Sequence, residues 1–413
     1  MNIVMLSWEY PPCLVGGLAR HVHALARQLA HAGHKVHVLT RGTDDLPSEA
    51  MEDGVHVLRV QPYFHQPADF RLWVCHLNYA LLEAGVRLLQ TEGTTILHAH
   101  DWLVAYAARC LKGLFQVPLV ATIHATEAGR QGGIHDPGQQ YINDVEWWLT
   151  YEAWQVIVCS KAMRAEVGNL FGLGEQKLTV VPNGVDLPPE PTAECPPRED
   201  FAAPGERLLF HLGRLVPEKG AAVLLEAMPL LLRRHPVRLV IGGVGPYADD
   251  LKRQAAALGI AERVHFAGWL TEESAAALYR LADVTVVPST YEPFGIVALE
   301  AMAAGAPLVG SDVGGLGEII RHESNGLKAE PGDPLSLAEQ IDRLLIDRPL
   351  ARRLAAQGYR DVRDCYTWER VALQTETVYR QVLDAWSTTD WAASSPTGRP
   401  PTGHVEEPGR YAI

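Results

Sequence analysis

Two glutamates, Glu292 and Glu300, stand eight positions apart in the segment E-P-F-G-I-V-A-L-E. Pro293 and Gly295 suit a loop and a helix start, and the apolar residues that follow predict a helix to about Ala304. Glu300 is the only ionisable side chain of that helix. We expect it to be partly buried and bonded, because an unpaired buried charge is costly. The alternative is an exposed turn glutamate followed by a glutamate on a narrow polar helix face.

A second candidate segment, Gly213–Gly220, follows a predicted strand and opens a helix. It carries two cations, Arg214 and Lys219. A helix N-terminus and nearby cations both favour negative charge, so this segment can hold a diphosphate. An ordinary charged turn is the alternative, and it would be preferred if the segment stood alone.

Gly16 and Gly17 follow the first predicted strand at another helix start, where glycines let the backbone approach a ligand closely. The G-x-G-x-x-G fingerprint is absent here, which argues against a dinucleotide-dependent oxidoreductase. The glycine-rich segment 242–245 follows a later strand and is explained equally well by a simple turn.

Polar side chains lie at the ends of two further strands. His98, His100 and Asp101 belong to one, and His124 follows the next. Ligands bind at the carboxyl ends of strands in open α/β sheets, so these positions are the expected ones. A metal site of His98, His100 and Asp101 is an alternative that we do not favour, because no further set of ligands is evident. A histidine such as His124, taken alone, would more often be a core residue. Only the other polar side chains at the strand ends favour a functional role for it.

Short β-rich segments alternate with helical patterns, which predicts parallel sheets covered on both faces. In the first helix, apolar residues recur at Leu18, Val22, Leu25 and Leu29, and Gly33 is a predicted C-cap. The predicted strands are Asn2–Leu6, Val36–Thr40, Val55–Val60, Thr95–His98, Leu119–Ile123, Val156–Cys159, Leu178–Val181, Leu208–Leu212, Val237–Ile241, Val264–Ala267, Val284–Val287 and Pro307–Val309.

The segment 187–205 is rich in proline and acidic residues and is predicted to be a linker or a long excursion, because the alternation restarts after it. The last strong helix is predicted from about Trp368 to Trp386. The tail from Ser387 to Ile413 has no periodicity, and we expect it to be disordered or loosely attached.

Size and charge narrow the class of protein. A chain of 413 residues suits two domains. The net charge of −13 disfavours nucleic acid and anionic membranes as partners, because their phosphates repel an acidic surface. The six cysteines form no C-x-x-C pair, which fits reduced thiols. The sequence has neither an apolar run of the roughly 18 residues that a membrane span needs nor a basic signal-peptide region, so we expect a cytoplasmic protein.

Together these features resemble the retaining glycosyltransferases of the GT-B fold, and within them family 4 and its glycogen and starch synthase branch. The E-P-F-G-x-x-x-x-E block is specific to this superfamily. The synthase branch is indicated by three further segments, Glu9-Tyr10-Pro11-Pro12 with Gly16-Gly17-Leu18, His98-Ala99-His100-Asp101-Trp102, and Thr122-Ile123-His124.

The resemblance covers residues 1 to about 386 and implies two Rossmann-like domains facing a cleft. Residues 1–186 would form the acceptor-side domain, and residues 187–367 would bind the nucleotide-sugar. The last helix, about 368–386, would return to the first domain.

The resemblance also implies roles on the donor side. Glu292 would face the donor sugar and counter positive charge at the anomeric centre, and Glu300 would bind the ribose hydroxyls. Arg214 and Lys219 would bind the diphosphate and neutralise the leaving group, so we expect neither a metal nor another cofactor. Backbone contacts to the donor would come from Gly16, Gly17, Gly295, Gly314 and Gly315.

On the opposite side of the cleft, His124 would contact the sugar, and its carbonyl oxygen could face the developing oxocarbenium ion. Asp101 and Glu9 would lie on the sugar or acceptor side. The expected catalytic set is Glu292, His124, Arg214 and Lys219.

The implied reaction retains configuration by front-face substitution, with positioning and electrostatic stabilisation as the contribution of the protein. Closure of two lobes would exclude water. The expected donor is ADP-glucose or UDP-glucose. The expected acceptor is an α-glucan, a maltooligosaccharide or a sugar phosphate.

Two features depart from the synthases. Glycogen synthases carry a lysine at the position of Leu14, so an ADP-glucose preference is in doubt, and a UDP-sugar or a non-glucan acceptor gains weight. The segment Glu127–Trp148 also differs. Trp147, Trp148 and Tyr151 either line an acceptor subsite or belong to a helix core.

Three other functions stay open. A family 4 enzyme that builds a lipid-linked or cell-envelope glycan is disfavoured by the acidic charge. A nucleotide-sugar epimerase is disfavoured by the pair Glu292 and Glu300. A catalytically silent binding module is disfavoured because the full set of charged residues is present.

Overall fold

The structure, a computed structural model, describes residues 1–13, 16–64, 69–93, 96–188 and 197–394. Two sheets, almost entirely parallel and flanked by helices, confirm the predicted α/β fold class with two Rossmann-like units. Among the described helices, none has the length and apolar character needed to cross a membrane. The five cysteines in the described ranges are free thiols, and Cys195 lies outside those ranges.

The first sheet has eight strands in the order β3-β4-β2-β1-β5-β6-β7-β8, and only the β3–β4 pair is antiparallel. The core strands are apolar and buried, as strands covered on both faces must be. The strands are β1 Asn2–Leu6, β2 Lys35–Arg41, β3 Glu49–Glu52, β4 Val55–Val60, β5 Ile96–His100, β6 Leu119–Ile123, β7 Gln155–Val158 and β8 Leu178–Val180.

In the described residues of this half, six α-helices accompany the strands, and we call sheet and helices together the first lobe. The apolar stripe predicted for the first helix is buried, and Gly33 follows its end with φ +87°. The helices are α1 Gly17–His31, α2 Phe70–Glu92, α3 Ala105–Phe115, α4 Glu127–Gln131, α5 Pro137–Glu152 and α6 Lys161–Phe171.

The second sheet has six parallel strands in the order β11-β10-β9-β12-β13-β14, the strand order typical of a Rossmann fold. With its helices it forms the second lobe. Its strands are β9 Arg207–Leu212, β10 Val237–Gly242, β11 Val264–Gly268, β12 Val284–Val287, β13 Leu308–Ser311 and β14 Leu327–Ala329. Its helices are α7 Ala221–Leu232, α8 Ala248–Ala257, α9 Glu272–Leu281, α10 Ile296–Ala303, α11 Leu316–Ile319, α12 Pro334–Ile346 and α13 Arg348–Cys365.

The chain ends with α14 Trp368–Ser387 and α15 Asp390–Ser394. Helix α14 packs on α1 and shares its buried face with the core of the first sheet. The two chain segments that cross between the lobes are hydrogen-bonded to each other. The Val185 N–H donates to the Tyr366 carbonyl at 2.9 Å.

Several local expectations need correction. β5 extends to His100, and Thr95 lies outside the described residues. β3 and β14 were not predicted. The expectation of a disordered tail from Ser387 fails for residues 387–394, which are largely helical. Residues 395–413, and residues 189–196 of the predicted linker, lie outside the described part of the chain.

Candidate active site

The candidate residues lie where the strand order reverses in each sheet. In the first sheet the reversal falls between β1 and β5, whose following loops carry Glu9 and Asp101. In the second sheet it falls between β9 and β12, whose following loops carry Lys219 and Glu292. Ligands of open α/β sheets bind outside the carboxyl ends of strands at such switch points. The topology therefore gathers residues that are far apart in sequence where a ligand is expected.

Glu292 is held by an ion pair with Lys219. The Lys219 Nζ atom lies 2.8 Å from Glu292 Oε2, and the Ser289 hydroxyl donates to the same oxygen at 3.1 Å. Glu292 is 8% exposed, which excludes the alternative of an exposed turn glutamate. A buried carboxylate with a cation and a hydroxyl donor is satisfied electrostatically.

Glycines allow the two loops of this ion pair to meet. Gly220 has φ +71°, and a Cβ there would lie 1.8 Å from the Pro288 carbonyl oxygen. Gly314 has φ +49°, and a Cβ there would lie 2.2 Å from the Glu292 carbonyl oxygen. A side chain at position 220 would push the loop of Lys219 away from the loop of Glu292. A side chain at position 314, on the loop after β13, would displace the backbone of Glu292.

The predicted role of Gly315 needs correction. Its backbone N–H donates to the Glu292 carbonyl at 2.9 Å, so this amide already has a partner within the protein. A Cβ at Gly315 would also lie 2.3 Å from the Pro293 carbonyl oxygen. Gly315 therefore supports the glutamate loop. Gly295, with φ +108°, precedes the first turn of α10.

Glu300 bonds to both lobes. On its own side, the Tyr279 hydroxyl donates to Glu300 Oε2 at 3.1 Å. From the first lobe, Arg20 on α1 donates to Oε1 at 2.5 Å. Burial raises the pKa of the Glu300 carboxyl, and the Arg20 charge opposes that rise. The sequence predicted a bonded glutamate but not Arg20, which lies three residues after the paired glycines.

The glycine loop of the first lobe is braced by Glu9. The Gly16 N–H donates to Glu9 Oε2 at 3.2 Å, and Glu9 is 2% exposed. The Gly16 amide therefore has a partner within the protein, and the contact of Gly16 with the donor stays a prediction. Gly17 is exposed at the start of α1, and a Cβ there would lie 3.1 Å from Ile296 Cδ1 of the second lobe.

Asp101 positions the backbone of His124. Its Oδ1 accepts the His124 N–H at 2.7 Å, and its own N–H donates to the Thr122 carbonyl at 3.0 Å. Asp101 has φ +60°, a conformation that non-glycine residues rarely adopt and that is frequent at functional sites. Burial raises the Asp101 pKa to about 6 and lowers the His124 pKa to about 3. The His124 ring is therefore neutral near pH 7.

The histidines do not form the metal set that the sequence suggested as an alternative. Both ring nitrogens of His98 lie 2.7 Å from hydroxyl oxygens, and Asp101 is bonded to backbone. Instead, His21, His100 and His124 each offer a nitrogen within 4.8 Å of the others. The Nε2 atoms of His21 and His100 are buried without a partner.

Arg214 lies at the surface of the second lobe. Its side chain is 47% exposed, 3.6 Å from Glu218, so it can reach a bound anion. The loop that carries it packs against the glycine-rich segment 242–245, where a Cβ at Gly243 would lie 1.9 Å from the Gly213 carbonyl oxygen. Close packing of two loops thus explains those glycines.

Direct bonds join the lobes beside the site. The Ser160 hydroxyl donates to the Pro293 carbonyl at 2.7 Å. At the N-terminus of α6, the Lys161 and Ala162 N–H groups donate to Glu318 at 3.2 and 2.8 Å. A carboxylate is favoured at a helix N-terminus. The structure therefore holds the two lobes together around the loop of Glu292.

A buried acidic network lies behind Asp101. The Glu127 N–H lies 3.0 Å from both carboxyl oxygens of Glu146, which is 1% exposed. Arg130 lies 3.1 Å from Glu127 and 3.4 Å from Glu146. The Arg130 charge also lowers the pKa of Asp101, against the effect of burial. This network lies next to the strand-end site and acts on Asp101 through the charge of Arg130.

The aromatic residues of α5 divide between surface and interior. Trp147 and Tyr151 are 45% and 63% exposed, and their rings stack at 5.7 Å. Trp148 is less exposed and packs on Tyr106. Leu14, where synthases carry a lysine, lies outside the described residues.

Comparisons with known proteins agree with this architecture. Residues 15–188 match glycosyltransferase family 4, and residues 197–361 match the glycosyl transferases group 1. An uncharacterised glycosyltransferase of Methanocaldococcus jannaschii is 39% identical over 391 residues, which cover 93% of this chain and 99% of that protein. The chain is a GT-B glycosyltransferase and belongs to family 4.

Within that family the chain is similar to the glycogen synthase branch. A glycogen synthase of Mycobacterium tuberculosis is 40% identical over 395 residues, which cover 92% of this chain and 94% of that protein. Among solved structures, the sucrose-phosphate synthase of Thermosynechococcus elongatus superposes with a TM-score of 0.82 at 28% identity, over 93% of this chain and 99% of that one.

Proposed function

We propose that the protein transfers glucose, with retention of configuration, from ADP-glucose or UDP-glucose to a hydroxyl of an α-glucan, a maltooligosaccharide or a sugar phosphate. The observation that carries this proposal is the buried Lys219–Glu292 ion pair at the switch point of the second sheet. The Asp101–His124 pair stands at the switch point of the first. Similarity to a glycogen synthase and a sucrose-phosphate synthase supports glucose as the transferred sugar.

In this proposal, Arg214 and Lys219 bind the diphosphate and balance its growing negative charge as the glycosidic bond breaks. Glu292 faces the positive charge that develops at the anomeric carbon. Such preorganised charges act strongly in a site from which water is excluded. No metal is required, because the two cations take over its electrostatic task.

The acceptor hydroxyl attacks the face of the sugar from which the nucleotide leaves. The new bond to the anomeric carbon forms as the bond to the diphosphate oxygen breaks, and a phosphate oxygen takes the acceptor proton. His124, neutral near pH 7, hydrogen-bonds a sugar hydroxyl. Glu300 binds the ribose hydroxyls, for which Arg20 must share or release the carboxylate.

The experiment that tests this proposal is nucleotide release from ADP-glucose, UDP-glucose and GDP-mannose, each with glycogen, maltose, glucose 1-phosphate or no acceptor. The proposal expects acceptor-stimulated release from one of the two glucose donors, with α-configured product by nuclear magnetic resonance. It fails if no acceptor raises release above the background, or if the new linkage is inverted.

A further inference from the structure

Arg41 is a cation held between two tryptophan rings at the carboxyl end of an inner strand of the first sheet. It is the last residue of β2, the neighbour of β1. Its guanidinium carbon lies 5.6 Å from the centroid of a Trp8 ring and 5.7 Å from that of Trp73. The two rings are 6.4 Å apart at 87° to each other. The aromatic faces fix the guanidinium by cation–π contact but do not neutralise it.

Among the residues that the structure describes, no carboxylate forms an ion pair with Arg41. Its Nε atom is buried and has no hydrogen-bond partner. An unsatisfied buried donor is costly, and the cost is larger when the group is charged. The Nε atom itself is closed to solvent. A bound anion would therefore meet the two terminal nitrogens of Arg41, which are not among the buried unpaired atoms and form no hydrogen bond within the described residues.

Two other arginines of the first lobe, Arg59 on β4 and Arg71 on α2, are already neutralised. Arg59 pairs with Glu52 at 2.7 Å, and Arg71 pairs with Asp69 at 2.7 Å. Other described arginines without an ion pair, such as Arg352 and Arg353, are exposed to solvent, whereas Arg41 is partly buried. Arg41 is thus distinguished from its neighbours by free charge and not by position alone.

Arg41 lies beside the switch point of the first lobe. The loop after β1 begins with Ser7, whose N–H donates to the Leu39 carbonyl of β2 at 3.1 Å. Trp8 follows, and then Glu9, which braces the glycine loop. The cation therefore stands on the lobe opposite Lys219, where an acceptor would enter and not where the donor diphosphate would bind.

We propose that Arg41 recognises a phosphate group on the acceptor, so that the acceptor is a sugar phosphate. This inference rests on the proposed glucosyl transfer and selects one of its three acceptor classes. The planar fork of a guanidinium matches a phosphate with two parallel hydrogen bonds. A neutral glucan that stacked on Trp8 or Trp73 would compete with the guanidinium, which lies over one face of each ring.

The test compares the wild type, Arg41→Gln, Arg41→Lys and the control Arg71→Gln, with glucose 1-phosphate as the probe. The KM for glucose 1-phosphate should rise about 10- to 100-fold in Arg41→Gln, the range for losing a charge-assisted bidentate contact, with a much smaller change in kcat. Arg41→Lys should recover part of the loss, because it restores charge without the fork. Arg71→Gln should stay within about twofold, because Asp69 already neutralises that arginine.

Calorimetric binding of glucose 1-phosphate to the same four proteins, without donor, separates this inference from the proposed function. Binding that is lost in Arg41→Gln and kept in Arg71→Gln supports the phosphate contact even if neither glucose donor turns over. An unchanged KM and affinity in Arg41→Gln would overturn the inference. So would a fall in kcat and melting temperature with an unchanged KM, since that marks a packing role. A wild type that extends maltose but neither binds nor uses glucose 1-phosphate would overturn it and leave glucosyl transfer standing.

Discussion

Replacing Glu146 by glutamine should change how the stability of the protein depends on pH. Glu146 is buried on α5, and burial raises its pKa from 4.5 to about 8, although the Arg130 charge opposes the rise. Near pH 7 the carboxyl is therefore mostly protonated in the folded protein and ionised in the unfolded chain. A glutamine has a similar shape and no proton to lose.

The sign of the effect follows from proton linkage. Between pH 4.5 and about 8 the folded state holds a proton that the unfolded chain has released, so stability falls as the pH rises through this window. At about 1.4 kcal/mol per pH unit, the wild type loses about 2.5 kcal/mol from this group between about pH 5.5 and about pH 7.5. For a lobe of this size that is about 5–10 °C in melting temperature.

Thermal unfolding by circular dichroism at these two pH values measures the effect. The melting temperature of Glu146→Gln minus that of the wild type should grow by about 5–10 °C from the lower to the higher pH. Glu339→Gln, at an exposed position of α12, is the matched control and should show no such trend. The reasoning is refuted if Glu146→Gln and the wild type differ by the same amount at both pH values.

Three other outcomes follow from the site. Tyr279→Phe removes a hydrogen-bond donor from Glu300, and steady-state kinetics should show a KM for the nucleotide-sugar raised about 3- to 10-fold with little change in kcat. An unchanged KM would show that Glu300 takes no part in binding the nucleotide-sugar. Glu318→Gln weakens the contact between the lobes at α6 and should increase donor hydrolysis without acceptor, measured as free glucose; no increase would show that this contact does not exclude water. Treatment with a chelator should leave activity unchanged; a loss that Zn²⁺ restores would instead place a metal at His21, His100 and His124.

The fold was predictable because buried parallel strands appear in the sequence as continuous apolar segments. All twelve predicted strands exist, with ends that differ by at most two residues from the prediction. The two that escaped prediction have weak patterns. Glu49–Glu52 is a four-residue antiparallel edge strand with two glutamates, and Leu327–Ala329 has three residues. The bounds of the two domains, 1–186 and 187–367, stay predictions.

Site residues were predictable from the sequence where the type of side chain determines the role. They were not predictable where the role depends on which backbone group the residue contacts. The isolation of Glu300 in an apolar helix predicted a buried, bonded carboxylate, and the structure supplies its partners Arg20 and Tyr279. The amide of Gly315 was expected close to the donor, but it donates to the Glu292 carbonyl, and the amide of Gly16 donates to Glu9. Such pairings depend on loops that meet only in the folded chain.

Arg20 and Arg41 show a further limit of the sequence. Each is one arginine among many, and no local pattern marks it. Arg20 is distinguished by its hydrogen bond to Glu300 on the other lobe. Arg41 is distinguished by its contacts with two tryptophans that are far apart in sequence. Their roles follow only from tertiary contacts, which periodicity and spacing do not encode.

The most direct test of the account is the turnover of Glu292→Gln with the glucose donor and acceptor identified by the release panel. If Glu292 stabilises the charged transition state, kcat should fall about 10²- to 10³-fold, with a smaller change in the donor KM and a near-native melting temperature. Ser289→Ala, which removes only the hydroxyl donor to the same oxygen, should lose less than about tenfold. An unchanged kcat in Glu292→Gln would contradict the central claim, because the carboxylate would then have no part in the chemistry.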